Sequence, residues 1–171
     1  QKEINENFSN FSVFNIFKKN KRIILFLLKE KILIPEKSIS LIISSGKYLD
    51  NFYPHYFYPE FKYYFNKEMC NKIDSEMEDI DTFEFKQKRE IGENDKYVCQ
   101  LIQNDSIDDF ITYINRYNLS LKNSIIQPSI FETNSFLFKR KEQTLIEYAT
   151  FFGSFQIFKY LQLNNIELTP S

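Results

Sequence analysis

A chain of 171 residues suits one compact domain or a short stack of helical hairpins, and leaves little room for a second independent core. Apolar residues at 43% against 26% charged exclude disorder, and 3 Gly with 5 Pro give too little turn chemistry for an all-β domain. The formal charge of −1 implies no long-range field drawing the whole chain onto nucleic acid or an anionic membrane, and two cysteines, Cys70 and Cys99, are too few for a disulfide framework or zinc knuckle.

Reduced thiols in an intracellular, cytoplasmic protein are therefore expected. The apolar run Ile23–Leu28 is six residues long, far below the roughly 20 needed to span a bilayer. The chain begins with Gln1 rather than Met and reads as a piece of a longer one.

In chain order, Phe11, Phe14, Ile16 and Phe17 predict a turn or two of amphipathic helix. Ile23, Ile24, Leu27 and Leu28 then form one helical stripe. Pro35 stops that helix and suits the first turn of the next, whose stripe is Ile39, Ile42 and Ile43, closed by Gly46. The aromatic stretch 47–58 predicts an ordered but irregular connection. From Pro59, the spacing of Phe61, Tyr64, Phe65, Met69, Ile73 and Met77 predicts one long helix to about residue 78. The charged stretch 78–92 reads as a connector with room for a further helical turn. It divides the chain into a capping region, 1–80, and a continuation of the same architecture, 81–171.

Beyond it, Val98, Leu101 and Ile102 form a stripe, Asn104-Asp105-Ser106 breaks it, and Phe110, Ile111, Tyr113 and Ile114 form another. A longer polar segment, 115–143, has room for a short helix near Ile130. Residues 144–163 then repeat the helix, turn, helix scheme about Gly153-Ser154.

The last unit, from Thr144-Leu145-Ile146-Glu147-Tyr148-Ala149 through Gly153 to Ile157, Lys159 and Leu161, resembles an ankyrin repeat. Thr144, Ala149, Gly153, Ile157, Lys159 and Leu161 match that pattern, whereas Leu145, Glu147 and Gln162 depart from its proline, histidine and leucine. The residue types make physical sense: Thr144 caps, Ala149 permits close helix approach, Gly153 admits a left-handed turn, and Asn165 tolerates the same geometry where a glycine is usual. Asp105–Ile114 is similar to the second helix of a divergent unit. The 48 positions from Asp105 to Gly153 exceed the usual period of about 33, which implies an insertion.

From residue 88 onward, with Lys88–Asp95 and Leu145–Ala149 as its most specific segments, the chain is similar to divergent ankyrin-repeat proteins of the trichomonad type. That resemblance implies an all-α fold of stacked antiparallel helical hairpins, an ankyrin-like α-solenoid. It also implies a protein-binding scaffold with an unidentified protein partner, no catalysis, no cofactor, no metal and no small-molecule substrate. Its binding positions fall at Lys139, Arg140, Lys141, Glu147 and Phe151. Thr169 and Pro170 suit the start of another helix. Further repeats are therefore expected in the parent chain, with an uncovered apolar face at the truncated end drawn from Ile157, Leu161 and Leu163.

Two other readings are weighed against it. Lys18, Lys19, Lys21 and Arg22 beside Phe14 and Phe17 form a basic cluster that a nucleic-acid-binding domain would use, although helix flanks carry such charges routinely. His55, the only histidine, invites pairing with a cysteine nucleophile, but both cysteines fall on apolar stripes where inert thiols are usual. The acidic residues Asp74, Glu76, Glu78, Asp79, Asp81 and Glu84 lack the glycine and closing glutamate of a calcium loop and read as a solvated face. The aromatics from Phe52 to Phe65 read as core packing rather than as a ligand pocket. Isolated Gly46, Gly92 and Gly153 make no phosphate loop.

Overall fold

A computed structural model describes residues 8–46, 49–78, 80–138 and 142–168. Among them the chain is mostly helical and forms no strand, only an isolated antiparallel bridge between Ile125 and Thr144. It divides into two units, one running to Glu93 and including Ile130–Ser135, the other formed by Asn94–Ser129 and the residues from Phe136, and each has its own buried cluster, so the single core expected from length is not what forms.

The first unit contains α1 (Asn10–Phe17), α2 (Lys21–Lys29), α3 (Lys37–Ser45), the short α4 (Tyr53–Tyr56) and α5 (Tyr58–Phe61), then α6 (Lys67–Glu76) and α7 (Thr82–Ile91). Side-chain caps start four of them: Ser9, Asn20, Asn66 and Asp81 each accept a bond from a backbone amide in the first turn. Gly46 closes α3 in the left-handed conformation, as its position in the sequence predicts. α1 packs against both α2 and α3. Phe14, Ile24, Ile39, Ile43, Tyr53, Tyr56, Phe57 and Phe61 fill the core that results, so most of the aromatic stretch is packing, while Tyr63 and Tyr64 on its short 3-10 turn are exposed.

Two expectations fail here for local reasons. The long helix from Pro59 is broken, because Phe65 is extended and buried and Asn66 accepts from the Met69 amide at 2.8 Å to start α6 afresh. The charged connector is instead largely the ten-residue helix α7, whose buried positions are Phe85 and Arg89. A buried stripe containing an arginine has no apolar signature, while Phe83 and Ile91, which look like core, are exposed. Arg89 is held by Glu60 through Nη1 at 2.9 Å and Nη2 at 2.6 Å and donates to the Tyr56 carbonyl at 3.0 Å; the Tyr56 hydroxyl donates to the Arg89 carbonyl at 3.1 Å. Burial pushes that tyrosine hydroxyl up to about 12, so it remains a neutral donor.

Residues 130–135 complete this unit from far along the chain. They hold no helix at Ile130, and the nearest is α10 (Ser135–Phe138). The Thr133 amide and hydroxyl both donate to the Gly92 carbonyl, at 3.1 and 2.6 Å, and Phe131 meets Phe85 edge-on at 5.4 Å. Gly92 is itself left-handed at φ +69°, and a Cβ there would come within 2.8 Å of Arg22 Nε.

The second unit contains α8 (Tyr97–Gln103), α9 (Ile107–Arg116), α11 (Leu145–Phe152) and α12 (Phe155–Leu163). α8 packs on α9 and α11 on α12, while α8 also meets α11 and α9 meets α12. Cys99, Ile102, Phe110, Ile146, Ala149, Ile157 and Leu161 are wholly or almost wholly buried between them.

Candidate functional site

The geometry of the second unit repeats itself. Between α8 and α9, Asp105 is left-handed at φ +49° and the Ser106 amide donates to the Leu101 carbonyl at 2.9 Å. Between α11 and α12, Gly153 is left-handed at φ +69° and the Ser154 amide donates to the Ala149 carbonyl at 2.9 Å. The exits from the second helices match as well. Asn118 and Asn165 are left-handed at φ +49° and +59°, followed by bonds from the Leu119 amide to the Ile114 carbonyl and from the Ile166 amide to the Leu161 carbonyl. Each exit satisfies orphan helix carbonyls in the same way.

Three polar links cross from one pair to the other. The Ser154 hydroxyl, buried, donates to the Ile102 carbonyl at 2.5 Å. Because that hydroxyl is engaged, it does not cap α12. The Asp105 carboxylate does so instead, accepting from the Gln156 amide at 2.9 Å and the Ile157 amide at 3.0 Å. A third bond, from Gln103 Nε2 to the Tyr148 hydroxyl at 2.9 Å, joins the first helices.

Of the sequence-derived binding positions, Lys139, Arg140 and Lys141 lie outside the described residues, as do Thr169 and Pro170. Glu147 is half-buried and engaged in a capping box: its Oε2 accepts from the Thr144 amide at 3.0 Å and the Thr144 hydroxyl at 3.1 Å, while Thr144 Oγ1 accepts from the Glu147 amide. Glutamate thus serves the helix start where the ankyrin pattern has histidine. Phe151 is 39% exposed and stacks on Phe136, itself 58% exposed, with centroids 5.8 Å apart and planes 9° from parallel. Phe152 meets Phe151 edge-on at 5.0 Å. Phe136 went unnoticed in the sequence because it precedes α11 by a connection whose path no periodicity reveals.

Of the structural positions, Thr144 caps α11, Gly153 forms the left-handed turn to α12, and Ala149, Ile157 and Leu161 are buried. Ala149 is fully buried beneath its neighbours, and Gly153 has open space around it, so its conformation alone explains the glycine. Ile157 and Leu161 are wholly buried within the unit and are no part of an uncovered face; Leu163 is 75% exposed. The reason is that α12 turns these two side chains toward α9 and α11, leaving Phe155, Lys159 and Leu163 outward.

The rival sites come apart differently. His55 is buried in the first unit with its Nε2 2.5 Å from Glu76 Oε2, and its Nδ1 has no hydrogen-bond partner among the described residues. Cys70 donates to the Lys62 carbonyl at 3.5 Å, Cys99 is fully buried in the second unit, and neither is in a disulfide. Glu76 serves His55, Asp81 caps α7 and Glu84 pairs with Lys88, so these members of the acidic run have local structural work, and Asp79 lies outside the described residues. In the basic cluster, Lys21 is buried, bonded to Asp50 at 3.0 Å and to the Glu132 carbonyl at 3.2 Å, and lies over the ring of Tyr56 at 5.1 Å. Burial pulls its ammonium below the ordinary lysine range, opposed by the charges of Asp50 and Glu132. A lysine spent in this way is a core residue rather than a phosphate ligand.

No protein-family model matches the chain, and neither a curated protein nor a solved structure matches it. Among the described residues no helix is long and apolar enough to cross a membrane, and no group of three or more His, Cys, Asp or Glu is placed to hold a metal ion.

Proposed function

We propose that the chain is a non-enzymatic protein-interaction module whose second unit is built of two ankyrin-like repeats. The observation that carries this reading is the recurrence of the same two left-handed turns, at Asp105 and Gly153 and again at Asn118 and Asn165, in helix pairs that meet first helix to first and second to second. Units that share a seam in this way hold side chains in fixed positions, and affinity then comes from preorganisation.

The stacked pair Phe136 and Phe151 is the recognition surface. Exposed aromatic side chains with few rotatable bonds are typical anchors of protein interfaces, and these two, one in α10 and one in the last turn of α11, are held parallel. The partner is a protein, and the setting is intracellular.

Capture from the native extract with the full chain tests this. Phe136→Ser and Phe151→Ser, both at exposed positions, each lower recovery of a specific partner about tenfold or more without shifting the thermal melt. Undiminished capture by both variants would remove the assignment of the surface.

A further inference from the structure

The near-zero charge of the whole chain conceals a segregation. Residues 8–46 contain seven Lys or Arg and only two Glu, and of the seven only Lys21, paired with Asp50, is buried in the core. The same stretch leaves large apolar side chains outside the core of the first unit. Around the turn from α1 to α2, Ile16 is 60% exposed, and Phe17 and Ile23 are also exposed, with Lys18, Lys19 and Arg22 between them in the chain. One turn further, Phe26 is 58% exposed. Asn20 holds the turn tight, its amide donating to the Phe17 carbonyl at 2.8 Å and its side chain capping α2.

A second element joins this face. Arg22 and Lys29 lie seven residues apart on the outer side of α2, with Phe26 between them. Arg22 Nη2 donates to the carbonyl of Ile91, and Lys29 pairs with Glu90. These bonds bring the end of α7 alongside, and Ile91 is itself 58% exposed. Ile23 and Phe26 of α2 and Ile91 of α7 thus surround Arg22, with Lys18 and Lys19 at the turn that precedes it, while Lys29 is balanced by Glu90.

We propose that this face is a docking surface for an anionic lipid bilayer. Ile16, Ile23, Phe26 and Ile91 enter the boundary between headgroups and acyl chains, and Lys19 and Arg22 meet the lipid phosphates. The charge identifies the occupant as anionic. The isoleucines identify it as lipid, since a nucleic acid stacks bases on aromatic rings and leaves aliphatic side chains in water. Adsorption rather than spanning is the mode, because no described helix is long and apolar enough to cross. The inference stands on the first unit and is independent of the partner surface on the second.

The test is co-sedimentation of the full chain with vesicles of phosphatidylcholine alone and with about 30% phosphatidylserine added. The chain sediments with the anionic vesicles only, and about 0.5 M salt weakens the association. Ile23→Ser with Phe26→Ser lowers vesicle binding about tenfold or more, with circular dichroism and melting unchanged. Lys19→Glu, remote from the core, weakens it several-fold and covers the case in which the double variant fails to fold. No association with anionic vesicles overturns the proposal. So does vesicle binding indifferent to these changes, tighter binding to single-stranded RNA or duplex DNA than to vesicles, or a self-associated chain that the double variant dissociates.

Discussion

Asp105 caps a helix that it does not precede. Its two carboxylate oxygens accept the amides of Gln156 and Ile157, at 2.9 and 3.0 Å, so the turn between α8 and α9 supplies the N-terminal cap of α12. Two charge-assisted bonds at a helix N-terminus also lie with the helix dipole, which makes this link worth more than a neutral cap.

Asp105→Ala removes both bonds and puts an alanine at φ +49°, so the second unit loses about 2 kcal/mol or more in urea unfolding. Asp105→Gly loses the same bonds but relieves the left-handed strain, and so falls between alanine and wild type. A glycine variant as unstable as the alanine one contradicts this division of the effect.

The capping box joins Thr144 and Glu147 in one unit of stability. Thr144→Ala and Glu147→Ala each cost about 1 kcal/mol, and the double variant costs less than their sum because both act on the same helix start. Strict additivity in a denaturation series would mean the two residues act separately, which leaves Glu147 available for a partner.

In the first unit, Glu60→Ala leaves the Arg89 guanidinium buried without its carboxylate, at a cost of about 3 kcal/mol or more. Arg89→Met, which removes the charge and keeps much of the volume, is milder than Glu60→Ala. Thermal melts of the two variants decide the order, and equal losses would show that packing rather than the orphaned charge dominates.

The hydrogen bond from His55, reinforced by charge, holds the Glu76 carboxyl below its ordinary value of 4.5. A carboxyl depressed on folding stabilises the native state above its unfolded pKa, and that contribution is lost as pH falls through its folded one. Wild type is therefore more stable than Glu76→Gln at pH values above the carboxylate range, and the gap closes on acidification below 4.5. A gap that is constant with pH, measured by urea titration at a series of pH values, contradicts the pairing.

Much of the second unit can be read in the sequence, because its determinants are local: apolar stripes, a threonine cap, and Gly153 and Asn165 at left-handed positions. The first unit is less legible where burial involves charge. Lys21 and Arg89 sit in the core with specific partners, and a period count treats both as surface. The break at Phe65 is hidden because apolar spacing continues across it, and only the Asn66 cap marks the new start. Residues 130–135 belong to the first unit through bonds to Gly92 and Lys21 that no sequence period records. The whole-chain charge likewise hides the cationic segment, since its excess is cancelled elsewhere.

Native-state hydrogen exchange on the full chain tests most directly whether a shared seam keeps the two helix pairs of the second unit ordered. With Asp105→Ala, the slow amides of α8, α9, α11 and α12 should lose protection together and by similar amounts. Loss confined to α11 and α12, with α8 and α9 as protected as in wild type, would contradict it.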